Sequence, residues 1–176
     1  VEIIPDPNYD FSDKISNLSN TPYHETLYLD SDIYIHEPIY EVLDSLDRFD
    51  MALSLDAHQQ PAIPNPDYSA PDIYGEYDPI PEFNTGLLAY RDSESVEDCL
   101  NVWTESYDPE NHWAGQPSFI PGFHESSVRV CPLPRRYNFI PGVRNCVSGK
   151  VKVFHNRLEG GPEPGYKDLP PSQIPD

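Results

Sequence analysis

The chain has 176 residues, of which 30 are Asp or Glu and only 11 are Lys or Arg, so its formal net charge is −19. This charge excludes proteins that bind nucleic acid by neutralising phosphates with clustered Lys and Arg, and it disfavours docking on anionic lipid. Leu, Ile, Val and Phe make up about 24 % of the chain, above the roughly 20 % below which disorder is expected. The composition therefore predicts one folded, loop-rich domain.

The acidic residues are spread over every segment, and such a surface repels itself less at molar salt. We therefore hypothesise a protein of a salt-rich cytoplasm; an ordinary acidic protein is the alternative.

Cys99, Cys131 and Cys146 are odd in number and form no CxxC pair, which is typical of a reducing compartment. No apolar run approaches the ~20 residues that span a bilayer. Because Val1 already lies in an apolar stretch, we expect the natural N-terminus to lie upstream.

The first third of the chain predicts strands and helices in alternation. Residues 1–4 predict a short strand, and residues 12–19 predict a helical turn that carries a lysine. Residues 26–35, TLYLDSDIYI, contain a continuous apolar run, which is typical of a strand buried on both faces. Pro38 suits the first position of a helix whose apolar residues then recur at helical spacing. Residues 50–56 predict another buried strand.

The middle of the chain contains a long loop, a strand and a helix. Residues 57–81 are rich in Pro, Asp and Tyr, and a loop of this length is expected to be functional or mobile. Residues 83–91, FNTGLLAYR, predict a strand whose internal Gly marks the close approach of a ligand or another backbone. Ser93 or Ser95 is expected to cap the helix that follows.

Two more strands and a tail complete the chain. Residues 128–133 and 151–155 predict strands, and residues 160–176 are expected to be a poorly ordered Pro- and Gly-rich tail. Buried strands that alternate with amphipathic helices predict an α/β domain with a largely parallel sheet.

A pair of carboxylates follows the strand in residues 26–35. Asp30 and Asp32 stand at its carboxyl end, where open α/β sheets bind ligands, and a turn there would let both reach one cation. Hard oxygen ligands suit Mg²⁺ or Mn²⁺, which bind substrate phosphates. Two solvated acids are the alternative in so acidic a chain, and the strand position favours the metal site. His155 becomes a further ligand only if it faces these carboxylates; otherwise it is a structural histidine.

Polar side chains that could bind a substrate occur at two other places. Asn84, Thr85 and Gly86 offer an amide, a hydroxyl and a backbone open to a ligand, although a strand with a bulge explains them equally well. Gln116 lies in a stretch unlike a core element. Aromatic residues such as Tyr137 could stack on sugar rings or pack in the core. The chain has no P-loop, G-x-S-x-G or G-x-G-x-x-G motif, so nucleophilic Ser or Cys catalysis has no support.

Taken in order, these motifs resemble the glycogenin-like, family-8-type nucleotide-sugar glycosyltransferases of the GT-A fold. The resemblance spans residues 14 to 157 and depends on five stretches. Lys14, Leu18 and residues 21–23 resemble the segment before the metal motif, and residues 26–35 resemble the strand with the D-x-D motif, here Asp30-Ser31-Asp32. Residues 83–91 resemble the FNxG strand, Gly115-Gln116 stands at the place of the Asp-Gln pair, and residues 134–138 with 151–157 resemble the closing YN … HxxG region.

The resemblance implies an α/β GT-A fold, a Rossmann-like mixed sheet flanked by helices, N-terminally truncated. It implies one catalytic domain over residues 1–159, without the βαβ unit that grips the nucleotide base. Gly115 replaces an Asp that is a catalytic candidate in the family, and the closing region reads HNRLEGG rather than ending in Lys-Pro-Trp.

The resemblance also implies the roles of particular residues. Asp30, Asp32 and His155 would bind Mn²⁺ or Mg²⁺, and the ion would hold the diphosphate of a sugar donor. Lys14 and Ser31 would lie near that donor, whereas Asn84 and Gln116 would contact the transferred sugar or the acceptor as catalytic candidates. Lys152 and Arg157 are weaker candidates for phosphate binding.

The leading interpretation is metal-dependent transfer of a sugar from a nucleotide-diphosphate donor to a hydroxyl of a glycan, lipid or small molecule. The resemblance favours retention at the anomeric carbon. One alternative is a non-catalytic relative that binds sugar or a partner, which Gly115 would allow. Another is a structural acidic protein whose Asp pairs bind Ca²⁺ loosely.

Overall fold

The computed structural model describes residues 11–56, 81–109, 115–140 and 147–155. The predicted strand 1–4, nearly all of the loop 57–81 and the tail 160–176 lie outside the described residues. The first half contains α1 (Phe11–Leu18), β1 (Glu25–Leu29), β2 (Tyr34–Ile35), α2 (Glu41–Asp44), a 3₁₀ turn (Ser45–Asp47) and β3 (Met51–Leu55). The second half contains β4 (Phe83–Arg91), α3 (Glu94–Ser106), α4 (Phe119–Glu125), β5 (Val130–Leu133), a 3₁₀ turn (Arg135–Tyr137) and β6 (Val153–Phe154).

The main sheet has the order β1-β4-β3-β5 and is mixed. β4 is antiparallel to both of its neighbours, whereas β3 and β5 are parallel. β2 and β6 form a separate antiparallel pair. The mixed sheet confirms the fold expected from the resemblance. The expectation of a largely parallel sheet is wrong, because apolar patterning reports burial and not strand direction.

Helices cover both faces of this sheet, and strand pleating divides the core between the faces. Met51 and Leu53 of β3 pack with α1, α3 and α4, whereas Ala52 between them packs with α2 and β6. β3 and β4 are thus buried on both faces, which confirms the burial predicted for the strand in residues 50–56. β1 is only half-buried and lies at one end of the described strand order, so the predicted two-sided burial of that strand is wrong.

The structure tests the predicted starts of two helices, α2 and α3. Pro38 does not occupy the first position of α2, which begins at Glu41. The segment before the helix is instead held beside the residue that precedes β6, because the backbone N–H groups of His36 and Glu37 donate to the carbonyl of Lys152. Ser93 does precede α3, but its side chain makes no capping hydrogen bond.

The α4 helix was not expected, because Pro121 and Gly122 interrupt any helical pattern in the sequence. Pro121 lies in the first turn, where a missing N–H costs little. Gly122 permits close packing on α3, since a Cβ there would lie 2.7 Å from the carbonyl oxygen of Cys99.

An ion-pair cluster closes the edge of the sheet where β3 and β5 begin. The buried Asp50 accepts hydrogen bonds from Arg91 Nε at 3.0 Å and from Arg129 Nε, also at 3.0 Å. The hydrogen bond from Arg129, aided by Arg91, lowers the pKa of Asp50 to about 2. These contacts join the ends of β3, β4 and β5 at the edge opposite the one where β1 ends.

Candidate metal and donor site

Strand direction brings several polar residues to one edge of the sheet. Because β4 is antiparallel to β1 and β3, and β5 is parallel to β3, the carboxyl ends of β1, β3 and β5 meet the amino end of β4. Asp30 follows β1, Asp56 follows β3, Asn84 is the second residue of β4 and Asn138 lies shortly after β5. The sequence expectation of a ligand site at strand ends is therefore consistent with where these side chains lie.

Asp30, Asp32 and His155 converge at this edge. His155 Nε2 lies 3.5 Å from Asp32 Oδ1 and 3.8 Å from Asp30 Oδ2. One potential ligand atom from each residue falls within 4.8 Å of the others. A turn closed by the hydrogen bond from Ile33 N–H to Asp30 O, 3.1 Å, brings Asp32 to the same side as Asp30. A turn at this position would let both carboxylates reach one cation, as expected from the sequence.

His155 is positioned by the small β2–β6 sheet and by β4. Phe154 pairs with Tyr34, so His155, the next residue, lies beside the segment that follows the two aspartates. The ring lies against Gly86, where a Cβ would be only 2.2 Å from His155 Cε1. The internal Gly of the predicted strand thus marks the close approach of an imidazole ring. Burial lowers the pKa of His155, against the opposing effect of Asp32 and Asp30.

Asp30 presents its two oxygens to different neighbours. Its Oδ1 accepts hydrogen bonds from Lys14 Nζ at 3.0 Å and from the Tyr28 hydroxyl at 2.7 Å. Its Oδ2 is the oxygen that faces His155. Lys14 also donates to the carbonyl of Thr85 at 2.9 Å and lies 4.9 Å from the centre of the Tyr28 ring. Burial lowers the pKa of Lys14, and the nearby Asp30 opposes that change.

A second group of polar side chains adjoins these residues. Gln116 Nε2 donates to Asp56 Oδ2 at 3.0 Å and to Glu82 Oε1 at 2.7 Å. Asn84 Nδ2 donates to the same Asp56 oxygen at 3.0 Å. Asp56 and Asn84 are buried, whereas Gln116 is half-buried. Asn84 and Gln116, named separately from the sequence, therefore share one carboxylate partner.

The β4 strand is irregular at this point. Leu53 pairs with Leu88 but Ser54 pairs with Asn84, so the register shifts within β3. Residues 85–87 thereby leave the β3 ladder while the carbonyl of Gly86 still accepts from Asp30 N–H at 2.8 Å. Such irregularities redirect side chains beside sites. The bulge interpretation of this segment is therefore confirmed, and the polar substrate site stays a prediction.

Several other candidates lie apart from the cluster or outside the described residues. Lys152 binds Glu41 and donates to the Pro38 carbonyl at 3.0 Å, so the structure engages it away from the aspartates. Tyr137 is buried in the core beside α2, as its core interpretation expects. Ser31 is exposed in the turn between the aspartates. Arg157 lies outside the described residues.

Two residues of this site, Tyr28 and Asp56, were not anticipated from the sequence. The Tyr28 hydroxyl donates to Asp30 from within β1, and no motif distinguishes it. Thr85, which the sequence did indicate as a polar candidate, accepts hydrogen bonds from Lys14. Asp56 stands directly after a predicted buried strand, the same signal that identified Asp30, and could have been found by it. Asn138 was noted only as part of a motif, without a role.

The described helices contain none that is both long and apolar enough to cross a membrane. No family model and no curated protein matches the sequence.

Comparison with solved structures identifies the fold. The galactosyltransferase LgtC, in complex with donor and acceptor sugar analogs, matches with a TM-score of 0.56 and 18% identity over 82% of this chain and 56% of that chain. Mouse xyloside xylosyltransferase 1 matches with a TM-score of 0.54 and 17% identity over 83% and 61%, respectively. The bifunctional glycosyltransferase WbbM matches with a TM-score of 0.53 and 20% identity over 80% and 30%.

This chain thus spans between 30% and 61% of the length of these three solved chains. At identities of 17% to 20%, the likeness is one of architecture. The mixed sheet flanked by helices is the fold of GT-A glycosyltransferase structures, as the sequence resemblance implies.

Proposed function

We propose that this chain carries the metal- and donor-binding part of a glycosyltransferase, which moves a sugar from a nucleotide-diphosphate donor to an acceptor hydroxyl. The observation that supports the proposal most is the convergence of Asp30, Asp32 and His155 at the sheet edge. The same fold occurs in solved glycosyltransferases of three kinds.

The three side chains fit a divalent cation. They offer two carboxylates and one imidazole nitrogen, with one ligand atom from each within 4.8 Å of the others. Mn²⁺ accepts both ligand types, whereas Mg²⁺ prefers oxygen, so we propose Mn²⁺ as the better match. A divalent ion bound here would neutralise diphosphate charge as the nucleotide leaves.

The neighbouring residues have distinct proposed roles. Lys14 holds Asp30 through Oδ1, which keeps Oδ2 directed toward His155, and its amine is the proposed cationic contact for the donor. The two hydrogens of the Gln116 amide point to Asp56 and Glu82. Its carbonyl oxygen is therefore proposed to accept a hydrogen bond from a sugar hydroxyl. Asn84 is proposed to line the same sugar subsite.

Titration calorimetry with UDP, in the presence and absence of Mn²⁺, tests the proposal. We expect UDP binding that depends on Mn²⁺ and that weakens about tenfold or more in Asp32→Asn, because losing a ligand costs at least as much as losing an outer partner of a ligand. Asp44→Asn removes the same charge from an exposed position on α2 and serves as the matched control. UDP binding that is independent of Mn²⁺, or equal in Asp32→Asn and wild type, would contradict the proposal.

Two results would favour the alternatives. Sugar binding without any metal would point to a non-catalytic relative, and Ca²⁺ binding at many weak sites would point to a structural acidic protein. The resemblance further leads us to propose retention at the anomeric carbon. NMR of the anomeric configuration in an isolated product checks that proposal.

A further inference from the structure

A continuous hydrogen-bonded path leads from His155 into the protein interior. His155 Nδ1 lies 2.9 Å from Asn138 Oδ1, and Asn138 Nδ2 lies 2.7 Å from Asn84 Oδ1. Asn84 Nδ2 lies 3.0 Å from Asp56 Oδ2. All four residues are buried, so each link is shielded from competing water.

The donor and acceptor atoms along this path are determined by two groups, a backbone N–H that can only donate and a carboxylate that accepts. The backbone N–H of Gly86 can only donate, and it lies 3.0 Å from Asn84 Oδ1. The Asn84 oxygen therefore faces Gly86, and its NH₂ faces the Asp56 carboxylate, which accepts. A backbone donor at one side and a carboxylate acceptor at the other thus impose the same orientation on the Asn84 amide.

That orientation determines the next two links. The Asn138 atom that faces the Asn84 oxygen must be a donor, so it is the NH₂ group. The carbonyl oxygen of Asn138 then faces His155 Nδ1, which must carry a proton in order to donate to it. A neutral imidazole with a proton on Nδ1 has a lone pair on Nε2. Nε2 is the nitrogen that faces Asp30 and Asp32.

We infer that Asn138 is a positioning residue that selects the Nδ1–H tautomer of His155 and directs the Nε2 lone pair toward a cation at Asp30 and Asp32. This inference deepens the proposed function and rests on it. Outer partners of metal-binding histidines act in this way in proteins generally, and their loss typically weakens metal binding 10- to 100-fold. Asn138 makes this contact without touching the carboxylates that would bind the ion.

NMR of the metal-free, full-length protein with ¹⁵N-labelled histidine tests the tautomer directly. The spectra are recorded at about pH 8, above the usual histidine pKa of about 6.5, and a His155→Asn variant assigns the signal. We expect Nδ1 to be protonated and Nε2 unprotonated in the wild type, and a mixture of tautomers in Asn138→Ala. Tyr90→Phe, which loses one buried hydrogen bond to the Leu18 carbonyl, is expected to keep the wild-type tautomer.

A wild type with its proton on Nε2 would overturn the inference, and so would Asn138→Ala with unchanged tautomer populations. The wild-type spectrum decides by itself if Asn138→Ala does not fold. Electron paramagnetic resonance of free Mn²⁺ gives a second readout, with about 10- to 100-fold weaker binding expected in Asn138→Ala. Because the tautomer is measured without metal, a wild type that binds no Mn²⁺ defeats the proposed function separately from this inference.

Discussion

Gly86 and His155 are in such close contact that the structure leaves no room for a side chain between them. A Cβ on Gly86 would lie 2.2 Å from His155 Cε1 and 2.7 Å from its Nε2. The strand β4 and the histidine after β6 can approach this closely only because residue 86 is a glycine. Through this contact, a backbone position of the central sheet controls where the candidate metal ligand lies.

Gly86→Ala is expected to displace the His155 ring and to weaken Mn²⁺ binding about tenfold or more, because backbone on one side and Asn138 on the other restrict where the ring can move. Gly122→Ala is the matched control. It creates a comparable clash with the Cys99 carbonyl at 2.7 Å, and it should lower stability without changing metal affinity. Calorimetric titration of both variants with Mn²⁺ makes the comparison. Equal affinities in Gly86→Ala and wild type would show that His155 does not bind the ion.

Lys14→Met is expected to separate metal binding from donor binding. The substitution removes a cation 3.0 Å from Asp30 Oδ1. The loss of a repulsive charge and the loss of the contact that positions Asp30 oppose each other, so the affinity for Mn²⁺ alone should change by less than about tenfold. If Lys14 also contacts the diphosphate, UDP in the presence of saturating Mn²⁺ should bind more weakly. Lys152→Met, at a lysine held by Glu41 outside the cluster, should change neither affinity. Tighter UDP binding in Lys14→Met would exclude the donor contact.

Asp50→Asn is expected to destabilise the protein by about 2 to 3 kcal/mol. That is less than the loss typical of a fully buried pair, because Arg91 and Arg129 remain partly in water. Asp50 has a pKa of about 2 in the folded state, against an ordinary value of 3.8. A carboxylate with a lowered pKa stabilises the fold above its unfolded pKa, and this contribution disappears as the pH falls from about 4 to about 2. Urea unfolding at a series of pH values would show a smaller loss of stability across this window in Asp50→Asn than in wild type. Parallel losses would contradict the assignment.

The net charge of −19 predicts a strong dependence of stability on salt. We expect the melting temperature to rise from dilute buffer to molar KCl, because the Debye length falls to about 3 Å at 1 M and repulsion among the surface acids is screened. A melting curve that does not move with KCl would contradict the proposed adaptation to a salt-rich cytoplasm. A non-ionic osmolyte at matched osmolality controls for general stabilisation.

Much of the local structure follows from short segments of the sequence. The strand Phe83–Arg91 begins and ends where its pattern predicts, and α1 lies within one residue of its predicted range. Both carry strong local signals, a long apolar run and a compact amphipathic turn. The predicted start of α2 was wrong because residues 36–38 contact Lys152, which lies far away in the sequence. The α4 helix was missed because packing on Cys99, rather than propensity, accounts for its glycine.

The sequence by itself determined the acidic surface, the two carboxylates after a strand and the ordered motifs that imply a GT-A fold. Strand direction, and with it the edge at which Asp30, Asp56 and Asn84 meet, was decided only by the tertiary structure, since apolar patterns carry no information on pairing. The tertiary structure also decided that His155 faces the carboxylates, because 123 positions of chain separate it from Asp32. The physical reason is the β2–β6 pairing together with the lack of a side chain at Gly86, against which the imidazole ring lies, and both depend on contacts between residues far apart in the chain.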